Sequence, residues 1–212
     1  MYIIGIDEAG RGPLAGPVSV GAVRIAADFD AELVAGAKDS KKMTPLARQR
    51  LYTQMCSLRA SGALDFAVAF SDAVMIDREG IVPAVRSALE SALEEVVGGC
   101  DGHHCTACNG AHRIHISPDV CDVRLDGGLK APDHFKQQTT IIRGDQTELA
   151  ISLASIAAKV ERDLLMREIA EQFPAYGLEI HKGYGTALHR RLIREHGLSP
   201  IHRASFCTHI TP

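Results

Sequence analysis

Ile3-Ile4-Gly5-Ile6-Asp7-Glu8-Ala9-Gly10-Arg11-Gly12-Pro13-Leu14-Ala15-Gly16-Pro17 is an apolar run that stops in two adjacent carboxylates. A glycine-flanked arginine and a Pro/Gly-rich turn follow at once. The run reads as a buried strand. Acids buried at the end of such a strand are costly unless something positive sits against them, and a divalent cation is the usual answer. Gly10-Arg11-Gly12 adds bare backbone N–H groups and one guanidinium, a combination suited to a phosphate or a sugar. Carboxylate–metal chemistry beside such a cradle points to phosphodiester cleavage.

Outward from this stretch, residues 2–8 and 18–25 read as two strands joined by the turn, a hairpin. Thr44-Pro45 is an N-cap followed by a first-turn proline. It opens a helix to about Arg59, with Leu46, Leu51, Met55 and Leu58 on its apolar side. Leu64–Phe70 alternates as a third strand. Ile81–Val97 is a second helix, ended by Gly98-Gly99. Val120–Leu125 is a fourth strand with Cys121, Val123 and Leu125 on one face and Asp126 at its end; Thr139–Arg143 is a fifth. A long Ala- and Ser-rich helix from about Gln146 to Phe173 is built to press closely on a sheet, and a last helix covers about Thr186–His196. This order predicts an α/β fold with a mixed sheet flanked by helices. No internal repeat or low-complexity linker divides it, so residues 1–212 are expected to form one domain.

The 212 residues are 46% hydrophobic and 23% charged, enough for one good core. No apolar run approaches the roughly 20 residues that span a bilayer. The chain enters a strand without the basic-then-apolar layout of a secretion signal, so a cytoplasmic protein is expected. A net charge of −3 excludes a globally basic nucleic-acid binder. Charge is nevertheless patterned. Lys38, Lys41, Lys42, Arg48 and Arg50 face only Asp39 within residues 38–50, and Lys182, Arg190, Arg191, Arg194 and Arg203 face only Glu195 within residues 181–203. Two basic segments around an acidic centre fit a nuclease, although solvated helix faces give the same pattern.

Asp7-Glu8, Asp126 and Asp145 each end an apolar strand, and strand ends converge in α/β sheets. Four such carboxylates can hold two hard divalent ions roughly 3.5–4 Å apart. Each site also has a plainer reading. Asp145 with Glu148 fits a capping box, and Asp126-Gly127-Gly128 fits a turn. Asp122, on the same strand face, competes with Asp126, which is preferred for its place at the strand end beside glycine.

The residues resemble the signatures of ribonuclease HII. The likeness runs through Gly5–Pro17, Asp39-Ser40-Lys41-Lys42, Gly144-Asp145 leading into Ala154–Asp163, and His181-Lys182-Gly183-Tyr184-Gly185-Thr186 running on to Pro200–Phe206. These ordered motifs cover nearly the whole chain. The resemblance implies a ribonuclease H-like fold with a short C-terminal helical part. It implies hydrolysis of RNA in RNA/DNA hybrids and at single ribonucleotides in duplex DNA. By the same resemblance, metal-bound water would attack phosphorus in line, leaving 3′-hydroxyl and 5′-phosphate ends. Asp7, Glu8, Asp126 and Asp145 are then the catalytic acids binding Mn2+ or Mg2+. Gly10, Arg11 and Gly12 match the loop with which such enzymes feel the ribose 2′-hydroxyl, and Tyr184 matches the tyrosine they stack on the sugar at the RNA–DNA junction. Ser40, Lys41 and Lys42 lie near the phosphates, with Ser155 and Lys159, one helical turn apart, as supports. A monomer acting on hybrid or ribonucleotide-containing duplex is expected, with no membrane.

The chain departs from this family at residues 98–118, a Cys/His-rich insertion where a short connection is usual. Cys105-x-x-Cys108 has metal-chelate spacing; Cys100 or His103, with His112 or His115, can complete a tetrahedral zinc site. The set Cys100, Cys105, Cys108 and His112 is the candidate, and free thiols on a polar loop are the alternative. The chain ends soon after Phe206, without the longer helical extension of some relatives. The absence of a substrate-binding domain before Asp7, together with the His181–Gly185 segment, favours ribonuclease HII over ribonuclease HIII. A ribonuclease HIII-like hybrid nuclease and a non-catalytic nucleic-acid binder working through the Cys/His loop remain the competing readings.

Overall fold

In a computed structural model that describes residues 1–37, 43–98 and 115–210, β1 (Tyr2–Ala9) and β2 (Val18–Ala26) form the expected antiparallel hairpin, from Tyr2 opposite Ala26 to Ala9 opposite Ser19. β3 (Leu64–Ser71) adds antiparallel to β2. β4 (Cys121–Asp126) runs parallel to β1, and β5 (Gln137–Ile141) parallel to β4. The mixed five-stranded sheet has the order β3-β2-β1-β4-β5.

Helices cover both faces. α1 (Pro45–Ala60) starts as predicted, with the Thr44 hydroxyl accepting from the Ala47 N–H. Leu51 and Met55 point inward, but Leu46 is exposed, because the first turn lies beyond the edge of the core. A short α2 (Ala73–Glu79), capped by Asp72, precedes α3 (Ile81–Gly98) and had not been anticipated. On α3, Ala84, Val85, Ala88, Leu89, Ala92, Leu93, Val96 and Val97 form one buried stripe. It packs on Ile4, Ile6, Val18, Val20, Val123 and Leu125. That stripe is the i, i+1, i+4 pattern a helix needs to bury one face.

The long helix predicted from Gln146 is two: α4 (Gly144–Thr147) and α5 (Leu149–Gln172). Glu148 breaks them with extended dihedrals, and its carboxylate is held by Arg124 Nη1 at 2.6 Å. α5 lies against the opposite face at a very close approach. A Cβ on Gly5 would sit 2.0 Å from the Ala150 carbonyl carbon, and one on Gly21 would sit 2.4 Å from the Ala154 carbonyl oxygen. Glycine on the strands and alanine on the helix together bring α5 within reach of the β1 end. α6 (Leu178–His181) and α7 (Ala187–His196), with short turns of 3-10 helix, make the C-terminal part. Among the described residues no helix is long and apolar enough to cross a membrane.

Candidate active site

Ile6 pairs with Leu125, so the next residues, Asp7 and Asp126, lie side by side just past the last β1–β4 pair; Asp126 ends β4, whereas β1 runs on to Ala9 against β2 rather than stopping at the acids. Asp7 is only 2% exposed. Its Oδ1 accepts from the Glu8 N–H at 2.8 Å, while its Oδ2 is buried without a hydrogen-bond partner among the described residues. Burial pushes its pKa up to about 7; the Ser155 hydroxyl pulls down, and the charges of Glu8 and Asp126 push up. Glu8 Oε1 takes Arg11 Nη1 at 3.0 Å, and Glu8 Oε2 is likewise buried with no such partner among those residues. Asp126 Oδ1 accepts from the Gly144 N–H at 2.7 Å, which ties the start of α4 to the end of β4. The following residue, Asp145, is buried at the same end of the sheet.

The plainer readings of these acids fare unevenly. α4 begins after Arg143 with no side-chain cap, so the Asp145–Glu148 capping box does not form. Gly127 does make a turn, at φ 61°, so Asp126 both ends a strand and precedes a turn. Asp122 is held by Arg124 Nε at 3.0 Å, and its place four residues earlier puts it roughly 13 Å back along the strand. The backbone thus gathers Asp7, Glu8, Asp126 and Asp145 at one end. Their side chains do not close further: among the described residues no three His, Cys, Asp or Glu are grouped as a ready set of metal ligands.

Two buried arginines shape the loop beside the acids. Arg203 donates from Nη2 to the Gly10 carbonyl (2.7 Å), from Nη1 to Arg11 (2.9 Å) and from Nε to Gly16 (3.0 Å). Arg162 donates to the carbonyls of Pro17 (2.8 Å), Lys182 (3.1 Å) and Ala15 (3.3 Å). Burial lowers both pKa values, that of Arg203 to about 9 with Arg162 adding repulsion. A trans peptide points its N–H opposite its C=O. With the Gly10 and Arg11 carbonyls turned inward, the N–H groups of Arg11 and Gly12 face away from Arg203, and neither donates to a described residue.

Leu14 N–H donates to the Gly183 carbonyl at 2.8 Å, which brings the Tyr184 segment onto the same loop. Gly183, at φ 84°, has no room for a side chain: a Cβ would meet the Ala15 oxygen at 2.2 Å. Tyr184 is 41% exposed, with Lys159 Nζ 5.6 Å and Arg162 Cζ 5.7 Å from its ring centre. Glu8, Gly10, Arg48, Ser155, Lys159 and Tyr184 line one cavity of about 240 Å³. The structure therefore brings Ser155 and Lys159 to the site as expected. It adds Arg48, from the basic run already visible in the sequence, and Arg162 and Arg203, which were not singled out for any role there. Ser40, Lys41 and Lys42, and the Cys100, Cys105, Cys108 and His112 set, lie outside the described residues.

A mixed sheet in which buried Asp7 and half-buried Asp126 meet beside two parallel strands, with a long helix pressed on one face, defines a ribonuclease H-type metal-dependent nuclease. Comparison with known proteins narrows the class. The Ribonuclease HII family model matches residues 4–209. Ribonuclease HII of Chloroflexus aurantiacus is 39% identical over 206 residues, covering 96% of this chain and 85% of the relative. Ribonuclease H2 of Pyrococcus horikoshii shares the fold at a TM-score of 0.70 and 23% identity, over 97% of this chain and 93% of that one. Bst-RNase HIII, solved in complex with Mn2+, superposes at 0.65 with 20% identity, over 93% and 63%. The chain belongs to the ribonuclease HII family: it is a metal-dependent endoribonuclease that acts on RNA/DNA hybrids.

Proposed function

We propose that the chain also cuts 5′ of single ribonucleotides in duplex DNA, with two divalent cations held by Asp7, Glu8, Asp126 and Asp145. The observation that carries this is the pair of buried carboxylate oxygens, Asp7 Oδ2 and Glu8 Oε2, without hydrogen-bond partners among the described residues. A buried carboxylate oxygen with no donor is costly unless a cation meets it, while the hydrogen bonds to Asp7 Oδ1, Glu8 Oε1 and Asp126 Oδ1 hold those carboxylates in place. The donor set is all oxygen, which suits Mg2+ or Mn2+. Bound there, the cations supply Lewis-acid activation of the attacking water and charge for the leaving oxygen.

The chain's own groups do the selecting. The outward N–H groups of Arg11 and Gly12 are placed to meet a ribose 2′-hydroxyl, the group that separates RNA from DNA. Tyr184 offers an exposed ring for the sugar beside the junction, and Lys159 and Arg48 in the same cavity offset phosphate charge. From their motif in the sequence alone, Ser40, Lys41 and Lys42 are proposed as further phosphate contacts. Products carry 3′-hydroxyl and 5′-phosphate ends. The protein works as a cytoplasmic monomer, one ribonuclease H-like domain over residues 1–212 with the 98–118 insertion within it.

The test is a labelled DNA duplex with one ribonucleotide beside an all-DNA copy, with Mg2+, Mn2+ or chelator. Metal-dependent cleavage 5′ of the ribonucleotide and none of the all-DNA copy is expected. Cleavage of long hybrid alone would move the assignment to a ribonuclease HIII-like activity. For the insertion, Cys100, Cys105, Cys108 and His112 are proposed to hold one structural Zn2+. Elemental analysis of protein purified without chelator should find one equivalent, and none would remove the proposal.

A further inference from the structure

Three buried histidines stand behind Tyr184, and their hydrogen bonds fix the proton on each ring. His202 Nδ1 accepts from the Ser199 N–H at 3.0 Å, with the Ser199 hydroxyl also 2.8 Å away. The His202 proton is therefore on Nε2, 3.1 Å from His189 Nε2. His189 accepts there and donates from Nδ1 to the Tyr184 carbonyl at 3.0 Å. His181 accepts the Gly183 N–H on Nδ1 at 3.3 Å, donates from Nε2 to the Tyr176 carbonyl at 2.9 Å, and stacks on His189 with ring centres 4.2 Å apart. Its own carbonyl takes the Tyr184 N–H at 2.9 Å. The Tyr184 peptide is thus gripped at both its N–H and its C=O by this cluster.

The residue after His202 is Arg203, which holds the Gly10 and Arg11 carbonyls. His202 itself bridges to Ala15 across the backbone. One dipeptide therefore touches both sides of the cavity: through His189 it reaches the stacking ring, and through its guanidinium it reaches the Gly10–Gly12 loop. A buried polar chain of this kind holds one arrangement because every ring nitrogen is already committed.

We infer that His189 and His202 are positioning residues for Tyr184, and that the His202-Arg203 dipeptide sets the spacing between that ring and the Gly10–Gly12 loop. The spacing selects a single ribonucleotide beside DNA over a continuous hybrid. A reading group displaced by about 1 Å loses much of its effect on rate, and a long hybrid, with 2′-hydroxyls at every step, tolerates the slack that a lone ribonucleotide does not. The inference rests on the proposed role of Tyr184.

The test compares His189→Asn, which keeps an amide donor near the Nδ1 position, with His189→Gln, which moves it to the Nε2 position. Tyr184→Ala runs in parallel. kcat and KM are measured on a single-ribonucleotide duplex and on a long hybrid. His189→Gln should lose roughly tenfold in kcat/KM on the first, the factor that about 1.4 kcal/mol represents, and under about twofold on the second. His189→Asn, which keeps a donor for the Tyr184 carbonyl but gives up the His202 contact, should shift the ratio of the two substrates by clearly less than His189→Gln does. Adding His189→Gln to Tyr184→Ala should cost nothing further. Equal loss on both substrates, equal behaviour of the two variants, or additive loss in the double variant would overturn the inference. If Tyr184→Ala itself leaves the ratio unchanged, the reading of Tyr184 fails; if only His189→Gln leaves it unchanged, positioning alone fails. Should His189→Gln not fold, His202→Asn, which drops the Nε2 donor, is decided by the same ratio.

Discussion

Arg203 Nη2 donates to the Gly10 carbonyl at 2.7 Å, joining residues 193 positions apart in the sequence. That bond and its two neighbours to Arg11 and Gly16 turn the loop carbonyls inward, and with them the N–H groups of Arg11 and Gly12 outward. The anchor that orients the Gly10–Gly12 backbone thus lies near the other end of the chain.

Replacing Arg203 with alanine leaves three loop carbonyls without their donor and should cost roughly 3–5 kcal/mol of stability in denaturant unfolding. Arg203→Lys is the finer probe. It keeps a cation, but one ammonium cannot serve three carbonyls spread over Gly10–Gly16. It should fold with a loss of about 2 kcal/mol and cleave the single-ribonucleotide duplex poorly. Wild-type stability and rate in Arg203→Lys would show that the fork geometry is dispensable.

Two glycines of the same loop should behave differently. Gly10 sits at φ 91°, and a Cβ there would lie 2.1 Å from Arg162 Nε, so Gly10→Ala combines backbone strain with a clash. It should destabilise by roughly 2–4 kcal/mol. Gly12 has nothing within 4 Å of an added Cβ. Gly12→Ala should move stability by less than about 0.5 kcal/mol, yet slow ribonucleotide cleavage because the methyl stands beside the outward N–H groups. An unimpaired Gly12→Ala enzyme would show that substrate does not approach this backbone.

Asp7→Asn tests the acids. Turnover should fall by roughly a thousandfold or more, the scale of removing an essential electrostatic group at a reacting phosphate. Hybrid binding, followed by anisotropy, should hold or tighten, because one negative charge facing phosphates is gone. In chelator the variant should also be more stable than the parent by roughly 1–3 kcal/mol, since Asp7 is buried against Glu8 and Asp126. A variant that is less stable and binds hybrid poorly would mean that Asp7 serves the fold, not the chemistry.

What the sequence made legible is what is local. A strand that runs apolar into Asp7-Glu8, a Thr44-Pro45 helix start, and the stripe on α3 are each written within a few neighbours, and the structure has each of them, with β1 carried on to Ala9 by its pairing with β2. The break at Glu148 was not, because its cause is Arg124 on another strand. Asp72 was a readable N-cap, but the seven-residue α2 it opens is too short to show a period. Arg162, Arg203 and the His181–His189–His202 cluster carried no local signal of their roles: a buried arginine looks like any basic residue until its carbonyl partners, up to 193 positions away, are known. The convergence of Asp7 with Asp126 is what strand ends suggest in general, while their side-by-side placement follows only from the β1–β4 register, whose last pair is Ile6 with Leu125.

The histidine cluster also sets a pH dependence of stability. Burial lowers the pKa of His189 to about 4, with the nearby His181 and His202 pushing the same way and the Tyr184 carbonyl opposing them. Burial lowers His181 and His202 as well. A base whose folded pKa lies below its unfolded value of about 6.5 takes up protons more readily in the unfolded chain, so stability rises with pH across that interval. Its contribution is fully present above about 6.5 and is lost as pH falls towards 4. Between pH 7 and pH 4 the wild-type protein should lose on the order of 2 kcal/mol through His189, a figure reduced for solvent screening. His189→Asn, which cannot titrate, should show a flatter decline in unfolding midpoint over the same range. Parallel declines for the two proteins would mean that His189 does not remain neutral in the folded state.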